Sequence, residues 1–179
     1  MNICVYCSAK DQIRDDYKQL GAELGCWIAQ NGHVLVFGGA SGGLMTMVSR
    51  SAFAEGGQVI GIVPEHIERA GRYSEWCTER VRVKNMNERK QMMKDTANCF
   101  VCLPGSYGTL DEMFDVIASG TVGEHKKPIF IVNYKGFYDP LLNEIALMKE
   151  KSFIPQTEIY KPIFVDDIGE LIDRINKLV

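Results

Sequence analysis

An α/β fold, a doubly wound Rossmann-like parallel sheet with helices on both faces, is what the sequence predicts, and three observations predict it. Short β-branched runs are apolar on both faces, as strands buried on both sides must be. Stretches with helical periodicity separate them from end to end, the order of right-handed βαβ crossovers. Two of the runs lead straight into glycine-rich turns that open helices, and sheets of this kind bind ligands beyond the carboxyl ends of their strands.

The elements follow in chain order. Ile3 to Tyr6 reads as a strand. Tyr17, Leu20, Leu24, Trp27 and Ile28 repeat at helical spacing, and Asn31-Gly32 supplies the left-handed residue that ends the helix. Val34 to Phe37 is the second strand, and the turn GGASGGLM (Gly38 to Met45) opens the next helix. Val59 to Val63 is a third strand, with a weaker one near Val81 to Val83. Asn85 to Ala97 reads as a helix on which Met86, Arg89, Met93 and Thr96 share a face. The strand Cys99 to Leu103 runs into PGSYGT (Pro104 to Thr109), and Thr109 to Glu112 has the spacing of a capping box at the helix start. Ile129 to Val132 and Ile163 to Val165 complete the strands. Asp166 is placed to cap a last helix whose inward stripe is Ile168, Leu171, Ile172, Ile175 and Leu178.

The chain has 179 residues, 46% hydrophobic and 24% charged, which fits one nucleotide-binding-type domain over residues 1–179. Its 20 Lys plus Arg against 23 Asp plus Glu give a net charge of -3, and no long basic stretch offers a surface for nucleic acid, so none is expected as a partner. Apolar runs such as Val59 to Val63 fall far short of the roughly 20 residues that span a bilayer, so no membrane is expected either. The start MNICVYCSAKDQ lacks the pattern of a secretory signal, which implies the cytoplasm and reduced thiols. Cys4-x-x-Cys7 and Cys99-x-x-Cys102 could pair into a zinc site, but i and i+3 on a strand point to opposite faces, so the cysteines read as core and no metal is expected.

Each glycine turn is a candidate phosphate cradle, because absent side chains and the free amides of a helix start favour an anion. A tight strand-to-helix connection is the alternative for either turn. No Lys-Ser or Lys-Thr follows the last glycine of either turn, so the triphosphate-binding P-loop pattern fails. The dinucleotide fingerprint fails at Ala40, and Glu65 is weak support for a ribose-binding acid without it. Gly39-Ala40-Ser41-Gly42-Gly43 matches the nucleophile elbow of serine hydrolases, yet the downstream histidines, His66 and His125, are not in a final loop that would complete a triad. Arg89 shares its face with methionines, where a guanidinium either meets an anion or snorkels to solvent, and Lys90 and Lys94 add positive potential nearby. Glu112 lies in the first turn of the helix after PGSYGT, within reach of a ribose whose phosphate that turn would hold; Asp111 and Asp115 read as solvent-facing.

Taken together, ICVYCSA, LVFGGASGGLM, GGQVIGIVP, RKQMM, LPGSYGTLDEMFDV, GEHKKPIF and YDPLL cover nearly the whole chain and resemble the LONELY GUY (LOG) family of cytokinin riboside 5′-monophosphate phosphoribohydrolases, members of which are often mislabelled lysine decarboxylases. The family pattern P-G-G-x-G-T-x-x-E is met by Pro104, Gly105, Gly108, Thr109 and Glu112, and R-K-x-x-M by Arg89, Lys90 and Met93. The resemblance implies hydrolysis of the N-glycosidic bond of AMP or an N6-modified AMP, with Arg89 and Glu112 catalytic. It implies that Lys90, Gly105, Ser106, Tyr107, Gly108 and Thr109, with Gly39, Ser41, Gly42 and Gly43 of the first turn, contact the nucleotide. It further implies no metal or organic cofactor, and a homodimer. Ser106, Ala40 and Thr46 depart from family glycines, Ala118-Ser119 stands where Thr-Trp is usual, and the segment after Pro64 lacks a well-placed Glu at Gly71. A nucleotide-binding carrier without turnover and a serine hydrolase using Ser41 are the alternatives; lysine decarboxylation has no lysine in a pyridoxal phosphate setting.

Overall fold

A computed structural model describes residues 1–155, 157 and 159–178. The chain alternates strand and helix: β1 (Asn2–Tyr6), α1 (Asp15–Gln30), β2 (Val34–Phe37), α2 (Gly43–Ala54), β3 (Gln58–Pro64), α3 (Glu65–Arg69), β4 (Glu79–Val83), α4 (Met86–Thr96), β5 (Cys99–Cys102), α5 (Tyr107–Thr121), β6 (Ile129–Val132), α6 (Asp139–Glu150), β7 (Ile163–Val165) and α7 (Ile168–Asn176). The seven strands form one parallel sheet in the order β4-β3-β2-β1-β5-β6-β7. Strand order reverses beside β1, which pairs with β2 on one side and β5 on the other, and this crevice is where such sheets hold ligands.

Alternation along the strands divides the core. Ile3 and Val5 pack with Leu24, Ile28, Val48, Leu171 and Ile175 from α1, α2 and α7. Cys4 and Tyr6 point the other way, towards Met93 of α4 and Met113 and Val116 of α5. The same alternation places Cys4 and Cys102 in one layer and Cys7 and Cys99 in the other, and all six cysteines are free thiols. Gly32 ends α1 with φ +67°, as Asn31-Gly32 predicts.

Three expectations need correction. The weak strand near Val81 to Val83 is β4, which starts two residues earlier. It is an outer strand whose Glu79, Arg80 and Arg82 are exposed, and those charges hide the β pattern in the sequence. The cap of α7 is Asp167, not Asp166: its Oδ1 accepts the Glu170 N–H at 2.8 Å, while the Glu170 carboxylate accepts the Asp166 N–H at 3.1 Å. Leu178 lies beyond α7 and is 45% exposed, so the inward stripe ends at Ile175. Among the described residues no helix is long and apolar enough to cross a membrane.

Candidate active site

The cavity over the β1–β5 crevice is built by five segments. Asn85 caps α4, its Oδ1 accepting the N–H groups of Asn87 and Glu88 at 3.0 Å each, which fixes the helix so that Arg89 and Met93 turn inward. The hydroxyl of Tyr138 donates to the Leu103 carbonyl at 2.9 Å and anchors the strand end from which the second glycine turn leaves. From that turn α5 buries Thr109, Glu112, Met113 and Val116 on its inner face.

Arg89 and Glu112, 23 positions apart, meet there. The Arg89 Nη2 donates to Glu112 Oε1 in an ion pair whose side chains are 7% and 3% exposed. Its Nη1 lies 3.7 Å from Met86 Sδ, and its Nε is buried with no hydrogen-bond partner. An unpartnered donor on a buried cation is costly, and it points to an acceptor that a ligand brings. Gly38 makes room for this guanidinium: a Cβ there would stand 2.2 Å from Nη2. Burial pushes the Glu112 carboxyl up; Arg89 pulls it back, and the net position is above the usual glutamate range.

Ser8 and Lys10 from the β1–α1 loop, Ala40 and Met45, and Ser106, Gly108 and Thr109 wall a cavity of about 210 Å³ around this pair. A second cavity of about 370 Å³, lined by Arg14, Tyr17 and Phe137, adjoins it through Ser8, Lys10 and Ser106. The first in-helix bond of α5 runs from the Leu110 N–H to the Ser106 carbonyl, so the amides of Tyr107, Gly108 and Thr109 have no acceptor within the helix. Ser106 occupies the N-cap, yet its hydroxyl does not cap. Gly105 packs against Thr109, whose Oγ1 a Cβ would meet at 2.0 Å, while nothing lies within 4 Å of a Cβ at Gly108. The start of α5 thus has the free amides and the positive dipole end that favour an anion.

The first turn is different. The Ser41 N–H donates to the Arg72 carbonyl at 2.9 Å, that of Gly42 to Thr46 Oγ1 at 2.7 Å and that of Gly43 to Asp11 Oδ1 at 2.9 Å. The amides of Ser41, Gly42 and Gly43 are thus engaged inside the protein rather than held out towards a ligand. Of the turn, Ala40 and Met45 line the cavity, while Gly39, Ser41, Gly42 and Gly43 are off its wall. His125 is committed away from Ser41: its ring is hydrogen-bonded to the Val116 carbonyl and packs on Phe100 and Tyr160. Glu65 is held by Arg69 at 2.7 Å and Arg82 at 3.7 Å.

Within the second motif the capping box does not form. Ser106 is the N-cap, Thr109 is the third helical residue, and Glu112 turns to Arg89 because the buried guanidinium outcompetes a solvated amide. Lys90 faces away from the cavity, 3.0 Å from Asp111 and 3.8 Å from Asp115, and Lys94 lies 2.9 Å from Asp115, so the acids expected in solvent tie α5 to α4. Tyr107 is 90% exposed and off the cavity wall. Cys7 lines the cavity, but burial pushes its thiol far up and leaves it protonated. Ser8, Lys10, Gly38 and Arg72 belong to the site without having been singled out in the sequence. Ser8 and Gly38 follow carboxyl ends of central strands, the one signal that could have found them; Arg72 carries none.

With this geometry in view, the chain matches a family model described as "Possible lysine decarboxylase" over residues 45–175. It is 39% identical over 177 residues to "Cytokinin riboside 5′-monophosphate phosphoribohydrolase LOG" of Oryza sativa subsp. japonica, covering 99% of this chain and 73% of the relative. It is 33% identical over 177 residues to the phosphoribohydrolase LOG1 of Arabidopsis thaliana, covering 99% and 83%. Among solved structures, the molybdenum cofactor binding protein of Rippkaea orientalis superposes with a TM-score of 0.73 at 20% identity, over 99% of this chain and 96% of that one. The Moco carrier protein of Chlamydomonas reinhardtii gives the same TM-score, identity and coverage. At that identity the likeness is one of fold.

Proposed function

The chain belongs to the LOG family of cytokinin riboside 5′-monophosphate phosphoribohydrolases, and we propose that it hydrolyses the N-glycosidic bond of a purine nucleoside 5′-monophosphate, releasing free base and ribose 5-phosphate. The relatives' names point to a cytokinin riboside 5′-monophosphate, and AMP or an N6-modified AMP is the substrate proposed for this chain.

The observation that carries the reading is the buried Arg89–Glu112 pair, with its unpartnered Nε, beside the open amides of α5. In this reading the phosphate rests on the amides of Tyr107, Gly108 and Thr109, with the Ser106 hydroxyl and Lys10 beside it, and Arg89 holds the ribose phosphate through Nε. The bond from C1′ to the base nitrogen breaks with its electrons on the base, and cationic character develops on the ribose. Glu112 stabilises that charge, takes a proton from the water whose oxygen adds to C1′ and passes that proton to the nitrogen of the departing base. Its raised pKa suits a carboxyl that must both accept and return a proton.

A homodimer completes the proposal, and the exposed Tyr107 and Phe114, seven residues apart on one face of α5, support it with apolar surface. The cytoplasm is the proposed compartment, and the six free cysteines suit a reducing one. Incubation with AMP and chromatography of the products tests the reaction: adenine and ribose 5-phosphate are expected, and Glu112→Gln should abolish both. Tight retention of the nucleotide with no product would instead assign a carrier role.

A further inference from the structure

Helix α4 carries Arg89 into the cavity, yet Arg89 and Met93 are the residues it buries. One methionine is a thin apolar anchor for a helix of 11 residues, so polar ties must set where α4 lies. Those ties gather at its two ends. Asn85 holds the first turn. At the other end the last carbonyls have no partner within the helix, and side chains from elsewhere in the chain take three of them. The Lys127 ammonium donates to the Lys94 and Asp95 carbonyls at 2.5 and 3.1 Å, and Asn2 Nδ2 donates to that of Thr96 at 2.9 Å. A cation at this end also meets the negative pole of the helix.

Lys127 is itself rooted. Its N–H donates to His125 Nδ1 at 3.2 Å, and its carbonyl accepts from the Tyr160 hydroxyl at 2.7 Å. With Nδ1 an acceptor, the proton of the His125 ring lies on Nε2, which donates to the Val116 carbonyl at 3.0 Å. Val116 lies on α5, one turn beyond Glu112. The half-buried Lys127 thus joins the end of α4 to the helix that carries Glu112. It does so off the cavity wall, where β6 begins, at the end of the parallel sheet opposite the crevice.

We propose that Lys127 is a positioning residue: by closing the end of α4 it holds Arg89 in register with Glu112 and so sets the turnover of the site. The inference rests on the nucleotide-hydrolysis reading and deepens it. The lever can be sized. α4 spans about 16 Å at 1.5 Å per residue, and Arg89 is its fourth residue, so a swing about the Asn85 cap moves Arg89 by about a third of the travel at the far end. Release of that end by about 3 Å would shift the guanidinium by about 1 Å, enough to cost about a hundred-fold in rate. The movement has a second readout. Burial raises the Glu112 pKa, and of the charges around it Arg89 acts most strongly, lowering it, while Asp111 raises and Lys90 lowers it. A guanidinium that drifts off would let the pKa climb further, so titration of Glu112 reports the place of Arg89 without any substrate.

The test compares the unaltered protein with Lys127→Met, Lys127→Arg, Asn2→Ala and Lys126→Met. It reads kcat and KM for AMP, and the Glu112 titration by NMR on protein carrying 13C-labelled glutamate. Lys127→Met should lower kcat by about ten- to a hundred-fold at nearly unchanged KM and move the Glu112 titration to higher pH. Lys127→Arg, which keeps a donor for each carbonyl, should restore both. Asn2→Ala frees one carbonyl of the same end and should act in the same direction; where Lys127→Met does not fold, the outcomes are read on Asn2→Ala. Lys126→Met removes an exposed neighbouring charge and should change neither readout. Unchanged kcat and titration in a folded Lys127→Met overturn the inference. So does an equal shift in Lys126→Met, which would make the effect one of charge alone, and so does a rise in KM at constant kcat, which would place Lys127 in substrate binding. Absence of turnover by the unaltered protein on every nucleotide defeats the hydrolase reading instead, and the Glu112 titration alone then decides the positioning role.

Discussion

Removing one member of the Arg89–Glu112 pair should cost the fold more than removing both. Glu112→Leu strands a guanidinium at a position 6% exposed, and Arg89→Met strands a carboxylate at one 3% exposed. A buried charge that has lost its partner costs about 3–5 kcal/mol, a large share of the roughly 5–15 kcal/mol that holds such a domain together. The double variant replaces two desolvated ions, one with a donor already lacking an acceptor, by apolar side chains beside Met86 and Met93. It should sit close to the unaltered protein in stability, or about 1–4 kcal/mol above it. Urea unfolding with constant m-values reads these differences, and for a chain of this size each kcal/mol moves Tm by about 2–4 °C. The single variants should therefore melt about 6–20 °C lower and the double near the unaltered value, with all three inactive. If the double variant is less stable than either single, the pair is a structural clamp. Its burial then serves stability rather than chemistry.

Further outcomes follow from the same geometry. Because burial raises the Glu112 pKa, the folded state binds the proton more tightly than the unfolded one, so stability should fall as pH rises from the usual glutamate range through the raised value; Glu112→Gln should flatten that slope in urea midpoints measured against pH. Gly108→Ala meets no atom within 4 Å and should leave the melt unchanged or raise it by up to about 1 kcal/mol, while KM for the nucleotide rises; an unchanged KM would remove the phosphate from this turn. Gly38→Ala forces the guanidinium of Arg89 aside and should lose both turnover and stability, which a coupled activity and melting assay would show. Lys90→Ala should cost under about 1 kcal/mol, the worth of a partly exposed ion pair, with little change in KM, and Ser41→Ala should retain activity; a fluorophosphonate that labels Ser41 would contradict the latter.

The layered α/β architecture is legible in the sequence because buried parallel strands leave unbroken apolar runs and their crossovers leave helical stripes. β4 blurs because an outer strand must carry charge. At the site, Arg89 and Glu112 can be found since each departs from its surroundings, a cation among methionines and an acid after a glycine turn. What local spacing cannot report is where a side chain turns once two helices meet. Lys90 is adjacent to Arg89 in sequence yet points to Asp111. Nor can composition tell a free amide from an engaged one, so the two glycine turns look alike although the amides of Ser41, Gly42 and Gly43 in the first are engaged within the protein. Arg72 stands in a connection between α3 and β4 with no periodicity, and its place is set by long-range bonds to Ser41 and, through Tyr73, to Ala40.

The outermost strands bear on how copies of this chain can join. β7 offers only three residues, and an added ribbon at β4 would run against Glu79, Arg80 and Arg82. Both rims thus resist continuation of the ladder from molecule to molecule, the route by which concentrated protein polymerises into fibres. The surface left for any pairing of copies is helical.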